Sequence, residues 1–234
     1  TGVKLAGFAG LNVTFPFKEA VLRLVDGVEG AAAKVGAVNT VVVHGDRLIG
    51  HNTDYSGFIG GWQRTLGSRN PGKAALIGAG GVGRAIAHAL VALGASEVRI
   101  ADIDSSRAST LAESLRSISS TRCVIVAADA VSACAGATGI VNATPVGMAA
   151  FPGNPVAAAA LAEIDWAMDA VYTPIETTFV AAARRAGATV MTGQELAIGQ
   201  AIDAFALFFG RPAPPEVMRE TFLAESAGRL TSKA

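Results

Sequence analysis

Apolar residues along this 234-residue chain fall into two rhythms. From about residue 70 onward, short apolar runs alternate with longer stretches in which apolar positions recur every three or four residues. Ala74-Ala75-Leu76-Ile77 reads as a strand, and residues 84–93 as an alanine-rich amphipathic helix closed by Gly94. Residues 97–101 read as a second strand, followed by a helix over 107–115 that Ser105 or Ser106 can cap. Residues 122–127, 139–143, 166–172 and 189–191 read as further strands, with a helix at about 177–186. Strands separated by helical patterns predict βαβ units and a Rossmann-type, doubly wound parallel sheet over residues 70–193.

The first 62 residues read differently. Residues 11–15 read as a strand halted by Pro16, and residues 18–25 as a short amphipathic helix. Residues 40–44 and 47–50, joined at Gly45-Asp46, have the chemistry of a β-hairpin. The expectation is a smaller α/β unit over residues 1–62, forming the second wall of a cleft. Helices at 194–209 and 215–224, within a closing segment 194–234, are expected to return to it.

Between the strand at 74–77 and its helix lies Gly78-Ala79-Gly80-Gly81-Val82-Gly83. In the order strand, G-x-G-x-x-G, helix, this turn reads as a dinucleotide site. Its first glycine permits the tight turn, its second lets the backbone approach a pyrophosphate, and its third lets helix and strand pack closely. Asp102 ends the next strand 19 positions after Gly83, suited to bind ribose hydroxyls. The other reading is an ordinary βα turn with an Asp capping the next helix. Ile103 and Asp104 follow Asp102, and Arg107 is the one cation close by. A 2′-phosphate would be repelled by the two carboxylates, so the pattern favours NAD over NADP.

Composition narrows the class without changing it. Net charge is zero with no basic stripe, which argues against nucleic acid. Apolar residues make up 51% of the chain, but Gly, Asp or Arg interrupts every long run, so no membrane span is predicted. Cys123 and Cys134 lack metal or redox spacing and read as buried, reduced thiols of a cytoplasmic protein. The three histidines lie apart, and no metal site is expected.

Hydride chemistry needs a polar group to handle a hydroxyl proton, and the candidates crowd the first unit. They fall in Asn12-Val13-Thr14-Phe15-Pro16-Phe17-Lys18, Gly36-Ala37-Val38-Asn39-Thr40 and Gly50-His51-Asn52-Thr53-Asp54. A plainer reading also stands: Asn and Thr cap helices and turns, and Lys18 lies on a solvated helix face.

These three motifs, together with Asn142-Ala143-Thr144-Pro145-Val146-Gly147-Met148 and Gln200-Ala201-Ile202-Asp203-Ala204-Phe205, resemble the shikimate dehydrogenases nearly end to end and in order. Residues 101–108 and Met218-Arg219-Glu220-Thr221-Phe222-Leu223 are similar to the NAD-preferring quinate/shikimate members. The resemblance implies oxidation of a ring hydroxyl of shikimate or quinate, small polyhydroxy carboxylates. It makes Lys18 and Asp54 the catalytic pair, and Thr14, Asn39, Tyr172 and Gln200 further substrate contacts. On the cofactor side it implies Gly78, Gly80, Gly81 and Val82 at the pyrophosphate, and Asp102 and Arg107 at the adenosine half. Thr144, Pro145, Val146, Gly147, Met148, Ala170 and the backbone of Gly193 then surround the nicotinamide.

Members of the family begin with a strand and a Ser-x-Ser or Ser-x-Thr motif that grips the substrate carboxylate. This sequence starts a few residues before the Asn12 motif, so its first unit is expected to lack that N-terminal segment. Two alternatives accompany the reading: an aminoshikimate or aminoquinate dehydrogenase, and a catalytically silent NAD-binding protein. Oligomeric state is not readable from the sequence.

Overall fold

Residues 2, 6–118 and 123–231 are described by the structure, a computed structural model. The first sheet has four strands, β1 (Gly10–Asn12), β2 (Gly27–Val28), β3 (Thr40–His44) and β4 (Arg47–His51), in the order β1-β3-β4-β2. β3 pairs antiparallel with β1 and β4, whereas β2 joins β4 in parallel. A short helix, α1 (Ala31–Val35), precedes β3. Its end at Gly36, φ +67°, is a left-handed turn that suits glycine.

From β4 the chain enters α2 (Thr53–Leu66), which leads to the second sheet. That sheet is parallel and six-stranded, in the order β10-β9-β8-β5-β6-β7. Its strands are β5 (Lys73–Ile77), β6 (Glu97–Ala101), β7 (Cys123–Val126), β8 (Gly139–Asn142), β9 (Trp166–Asp169) and β10 (Thr189–Met191). Helices α3 (Gly81–Ala92), α4 (Ser105–Ile118), α5 (Ala130–Cys134) and α6 (Thr178–Arg185) separate them. Strand order reverses between β5 and β8, whose carboxyl ends open the crevice where such sheets bind ligands. The expected Rossmann-type sheet is therefore present.

Two long helices follow, α7 (Gly193–Phe209) and α8 (Pro215–Thr231). α7 lies against α2 at backbone distance. A Cβ on Gly57 would sit 2.7 Å from the Gln200 amide nitrogen, and one on Gly61 2.3 Å from Met191 Cε. Glycine in a helix interior costs roughly 1 kcal/mol against alanine. Here it admits a neighbouring helix that any side chain would hold away. Glu195 on α7 receives a bidentate ion pair from Arg219 of α8 at 2.6–2.7 Å and a 3.2 Å hydrogen bond from Arg64 of α2. Burial pushes its carboxyl up, but the bonds and charges of Arg219 and Arg64 outweigh that and hold it below the usual range.

Trp62 and Trp166 meet edge to face, ring centroids 4.8 Å apart, at the centre of the main core. Their indole N–H groups donate to Arg69 O and Pro71 O, so both rings also fix the connection between α2 and β5. Gly139 leaves the room that Trp166 fills, since a Cβ there would lie 2.0 Å from the indole.

Several elements differ from the sequence expectation. The first strand ends at Asn12, before the Phe15–Pro16 bond. The helix expected over 18–25 is only a 3-10 turn at Ala20–Arg23. One i to i+4 bond forms, from Val21 N to Phe17 O, but the Lys18 carbonyl accepts from Val38 N and Leu22 N turns to Glu19 O, so the ladder is not continued. Ten residues between Pro16 and β2 are also too few for a stable helix. Asp104, not Ser105 or Ser106, caps α4, its Oδ1 accepting from Ser106 N at 3.0 Å. The strand expected over 166–172 stops at Asp169, whose Oδ1 takes the Val171 amide into a tight turn. Arg122, the expected start of a strand, lies outside the described residues.

His88 is buried in α3 at 2% exposure, with Nε2 3.2 Å from Ser114 Oγ and Nδ1 without a partner among the described residues. Burial, then the charges of Arg84 and Lys34, push its pKa from 6.5 down to about 4. Between those values the unfolded chain binds a proton that the folded chain refuses, so stability falls as pH drops through the window. The loss should approach about 3 kcal/mol. We expect urea midpoints at neutral and acid pH to differ less in His88→Gln than in the wild type. An equal acid loss in both would show that another group is responsible.

Candidate functional site

Two backbone bonds bring the segment after β1 to the sheet. Val13 N donates to Asn39 O at 2.7 Å, and Val38 N to Lys18 O at 2.8 Å. They set Lys18 beside the start of α2. Asn52 caps that helix, its Oδ1 accepting from Tyr55 N at 3.0 Å while its Nδ2 donates to Ala37 O. Asp54 occupies the first turn, where the positive end of the helix favours a carboxylate. Lys18 Nζ donates to Asp54 Oδ2 at 2.6 Å, across 36 positions of sequence. The Lys18 side chain is 14% exposed and that of Asp54 2%, so the lysine head is the reachable member of a nearly buried pair.

A polar network lies beside the pair. Asn39 Oδ1 accepts from Thr53 N at 2.8 Å and from Thr40 Oγ1 at 3.1 Å. Its Nδ2 donates to Thr53 Oγ1 and, at 3.1 Å, to Gln200 Oε1 on α7. Asn12 Nδ2 adds a bond to Thr40 Oγ1. Asn39, itself buried, thus fastens Gln200 through its side-chain carbonyl oxygen. The structure brings Lys18, Asp54, Asn39 and Gln200 into one neighbourhood. The Thr14 side chain is exposed one turn before Lys18, and Tyr172 is half exposed with its ring 6.5 Å from Phe222.

The glycine turn lies against this neighbourhood. Gly78 has φ +100°, and a Cβ there would meet Ala143 O at 2.7 Å. A Cβ on Gly83 would sit 2.1 Å from Gly78 O, so that glycine is required for α3 to start where it does. A Cβ on Gly80 would approach only Arg107, at 3.9 Å, which leaves the space over this residue open. Asp102 Oδ2 accepts from Ala79 N at 2.6 Å and its Oδ1 from Asp104 N, tying the strand end to the turn. Arg107 lies over Gly80 and 3.8 Å from Glu19, the neighbour of Lys18. Lys18 itself runs along the turn, for a Cβ on Gly81 would fall 2.9 Å from Lys18 Cβ. Lys18 and the glycine turn therefore share one surface. An open glycine shelf, an α3 N-terminus and a strand-end carboxylate suit a dinucleotide without a 2′-phosphate.

Two further loops border the crevice. The segment Thr144–Met148 follows β8, and Ala170 follows β9 with its N–H bonded to Asn142 O. Gly193 opens α7 where a Cβ would lie 2.4 Å from Val171 O, so α7 and this loop also touch at backbone distance. Beneath them lie Asn142, Asp169 and Thr177, buried polar residues that the sequence reading did not assign to the site. Asn142 and Asp169 are polar residues inside apolar runs that read as strands, which was the available signal. No group of metal-ligating residues occurs among the described residues.

Comparison with known proteins accords with this geometry. Residues 1–41 match the family model for the shikimate dehydrogenase substrate binding domain, and residues 73–153 that for NADP oxidoreductase, coenzyme F420-dependent. The chain is 45% identical over 220 residues to the quinate/shikimate dehydrogenase (NAD(+)) of Corynebacterium efficiens, covering 93% of this chain and 78% of the relative. It is 44% identical to the shikimate dehydrogenase (NADP(+)) of Pseudarthrobacter chlorophenolicus, with 93% and 75% covered. Among solved structures, quinate dehydrogenase from Corynebacterium glutamicum in complex with NAD superposes with a TM-score of 0.86 at 44% identity, over 95% of this chain and 80% of that one. Conserved architecture, ordered motifs and identity over most of both chains lead to one conclusion: the chain belongs to the quinate and shikimate dehydrogenase family of oxidoreductases.

Proposed function

We propose that this chain oxidises a ring hydroxyl of quinate or shikimate with NAD, reversibly, and that Lys18 and Asp54 are its catalytic pair. The observation that carries the reading is the 2.6 Å Lys18–Asp54 contact on the surface shared with the glycine turn. NAD, when bound, supplies the acceptor for the hydride. The site's own residues do the rest. In oxidation the Lys18 amine, held by Asp54, would accept the hydroxyl proton as hydride leaves for NAD and the carbon becomes a carbonyl. In the reverse direction its ammonium would return the proton. Asp54 orients Nζ, and the Gln200 amide, fastened by Asn39, is available to a neighbouring ring hydroxyl. A polyol needs such convergent partners, because an unpaired buried hydroxyl costs roughly 1–3 kcal/mol.

NAD rather than NADP is supported by this chain's own residues. Asp102 and Asp104 are two carboxylates at the end of β6 whose charge would repel a 2′-phosphate, and no arginine or lysine stands at 102–104. Gly80, Gly81 and Val82 would meet the pyrophosphate, Arg107 the adenosine half, and residues 144–148, Ala170 and Gly193 the nicotinamide. We place the protein in the cytoplasm, a reading supported by Cys134, a buried free thiol whose pKa burial raises to about 11. No described helix is long and apolar enough to cross a membrane. The experiment that tests the function is reduction of the dinucleotide by each acid, with NAD and NADP compared.

A further inference from the structure

β8 and β9 are parallel neighbours, and their register pairs Asn142 with Asp169 at the last position of each strand. Both are wholly buried, and Thr177, the cap of α6, is 2% exposed. Asp169 Oδ1 accepts from Asn142 Nδ2 and from Val171 N, each at 2.9 Å, while Oδ2 accepts from Thr177 Oγ1 at 2.6 Å. Asn142 passes the constraint on. Its Nδ2 also donates to Val146 O at 2.9 Å, and its Oδ1 accepts from Thr144 N and Thr144 Oγ1. Thr144 Oγ1 in turn accepts from Val146 N. Gly147 completes the contact, since a Cβ there would lie 3.2 Å from Thr177 Cγ2.

One carboxyl thus pins both loops at the carboxyl end of the sheet, 144–148 and 170–171. We propose that Asp169, acting through Asn142 and Thr177, is a positioning residue that sets where the nicotinamide end of the dinucleotide rests. The proposal deepens the NAD-dependent reading above and rests on it. A purely structural role explains the site poorly. No cation is among the carboxyl's bonded partners, and burial raises its pKa to about 6 against the opposing bonds from Thr177, Val171 and Asn142. Replacing a buried hydrogen-bonded group together with its partners by apolar groups of the same shape can be nearly neutral, so fold stability alone does not call for it. Three donors aimed at one carboxyl do fix two loops at once, which an apolar contact cannot do with the same directionality.

The test separates the two ends of the dinucleotide. Asp169→Asn keeps one acceptor oxygen but turns the other into a donor facing Thr177 or Asn142. ADP-ribose, which lacks the nicotinamide, should bind this variant within about twofold of wild type, NAD about tenfold more weakly, and kcat should fall about 100-fold. Thr177→Val should show the same split in milder form, and Thr177→Ser, which restores the hydroxyl, should recover kcat. This second pair decides the matter should Asp169→Asn not fold. Equal weakening of ADP-ribose and NAD, or wild-type kcat in both Asp169→Asn and Thr177→Val, would overturn the positioning role. A wild-type chain that neither binds ADP-ribose nor reduces NAD would overturn the underlying reading itself.

Discussion

Lys18→Ala is expected to lower turnover by roughly 10²–10⁴-fold, the range for loss of a general acid–base group, and to leave NAD affinity nearly unchanged. The affinity expectation follows from geometry: the Asp102 clamp and the backbone of the glycine turn stay in place. Alanine also removes the stem that lies along Gly81, so a second variant is needed. Lys18→Met keeps most of that stem and deletes only the ammonium. Both variants leave Asp54, 2% exposed, without its cation, which lowers stability. Initial rates and fluorescence titration of NAD, measured on both variants, distinguish the contributions. Wild-type turnover in Lys18→Met would take the pair out of the chemistry.

Asp102→Ala should weaken NAD by about 10- to 100-fold, the equivalent of one or two hydrogen bonds to a charged acceptor. It should also narrow the preference over NADP. The substitution removes an observed contact, the bond accepted from Ala79 N at 2.6 Å, together with the proposed contact to the ribose. Asp102→Asn keeps an acceptor for Ala79 while deleting the charge. If repulsion of a 2′-phosphate sets the preference, Asn should narrow it nearly as much as Ala, with a smaller loss of NAD affinity. An unchanged NAD-to-NADP ratio in both variants would remove Asp102 from the ribose site.

The parallel sheet was readable because its elements carry their own signals. β5, the glycine turn, α3 and β6 follow each other with periodic apolar faces, and Asp102 falls at the strand end where topology needs it. α2 escaped the sequence reading, and the packing explains why. Gly57, Gly60 and Gly61 dilute its helical pattern, yet Gly57 and Gly61 are where α7 and Met191 approach. The Lys18–Asp54 contact spans 36 positions and has no local spacing signal, so only the family resemblance could pair these residues. Asn39 showed itself as a polar residue beside an apolar strand, but its grip on Gln200, 161 positions away, is a product of tertiary packing. Asp169 was hidden inside an apolar run that read as one long strand, where its own hydrogen bond to Val171 N ends the strand.

The most direct measurement is NADH formation by this chain, with quinate and shikimate supplied separately and NAD compared with NADP. The account predicts turnover with at least one of the two acids and faster turnover with NAD. Binding of NAD with no reduction by either acid would contradict it, leaving a dinucleotide fold whose Lys18–Asp54 pair does not act on these substrates.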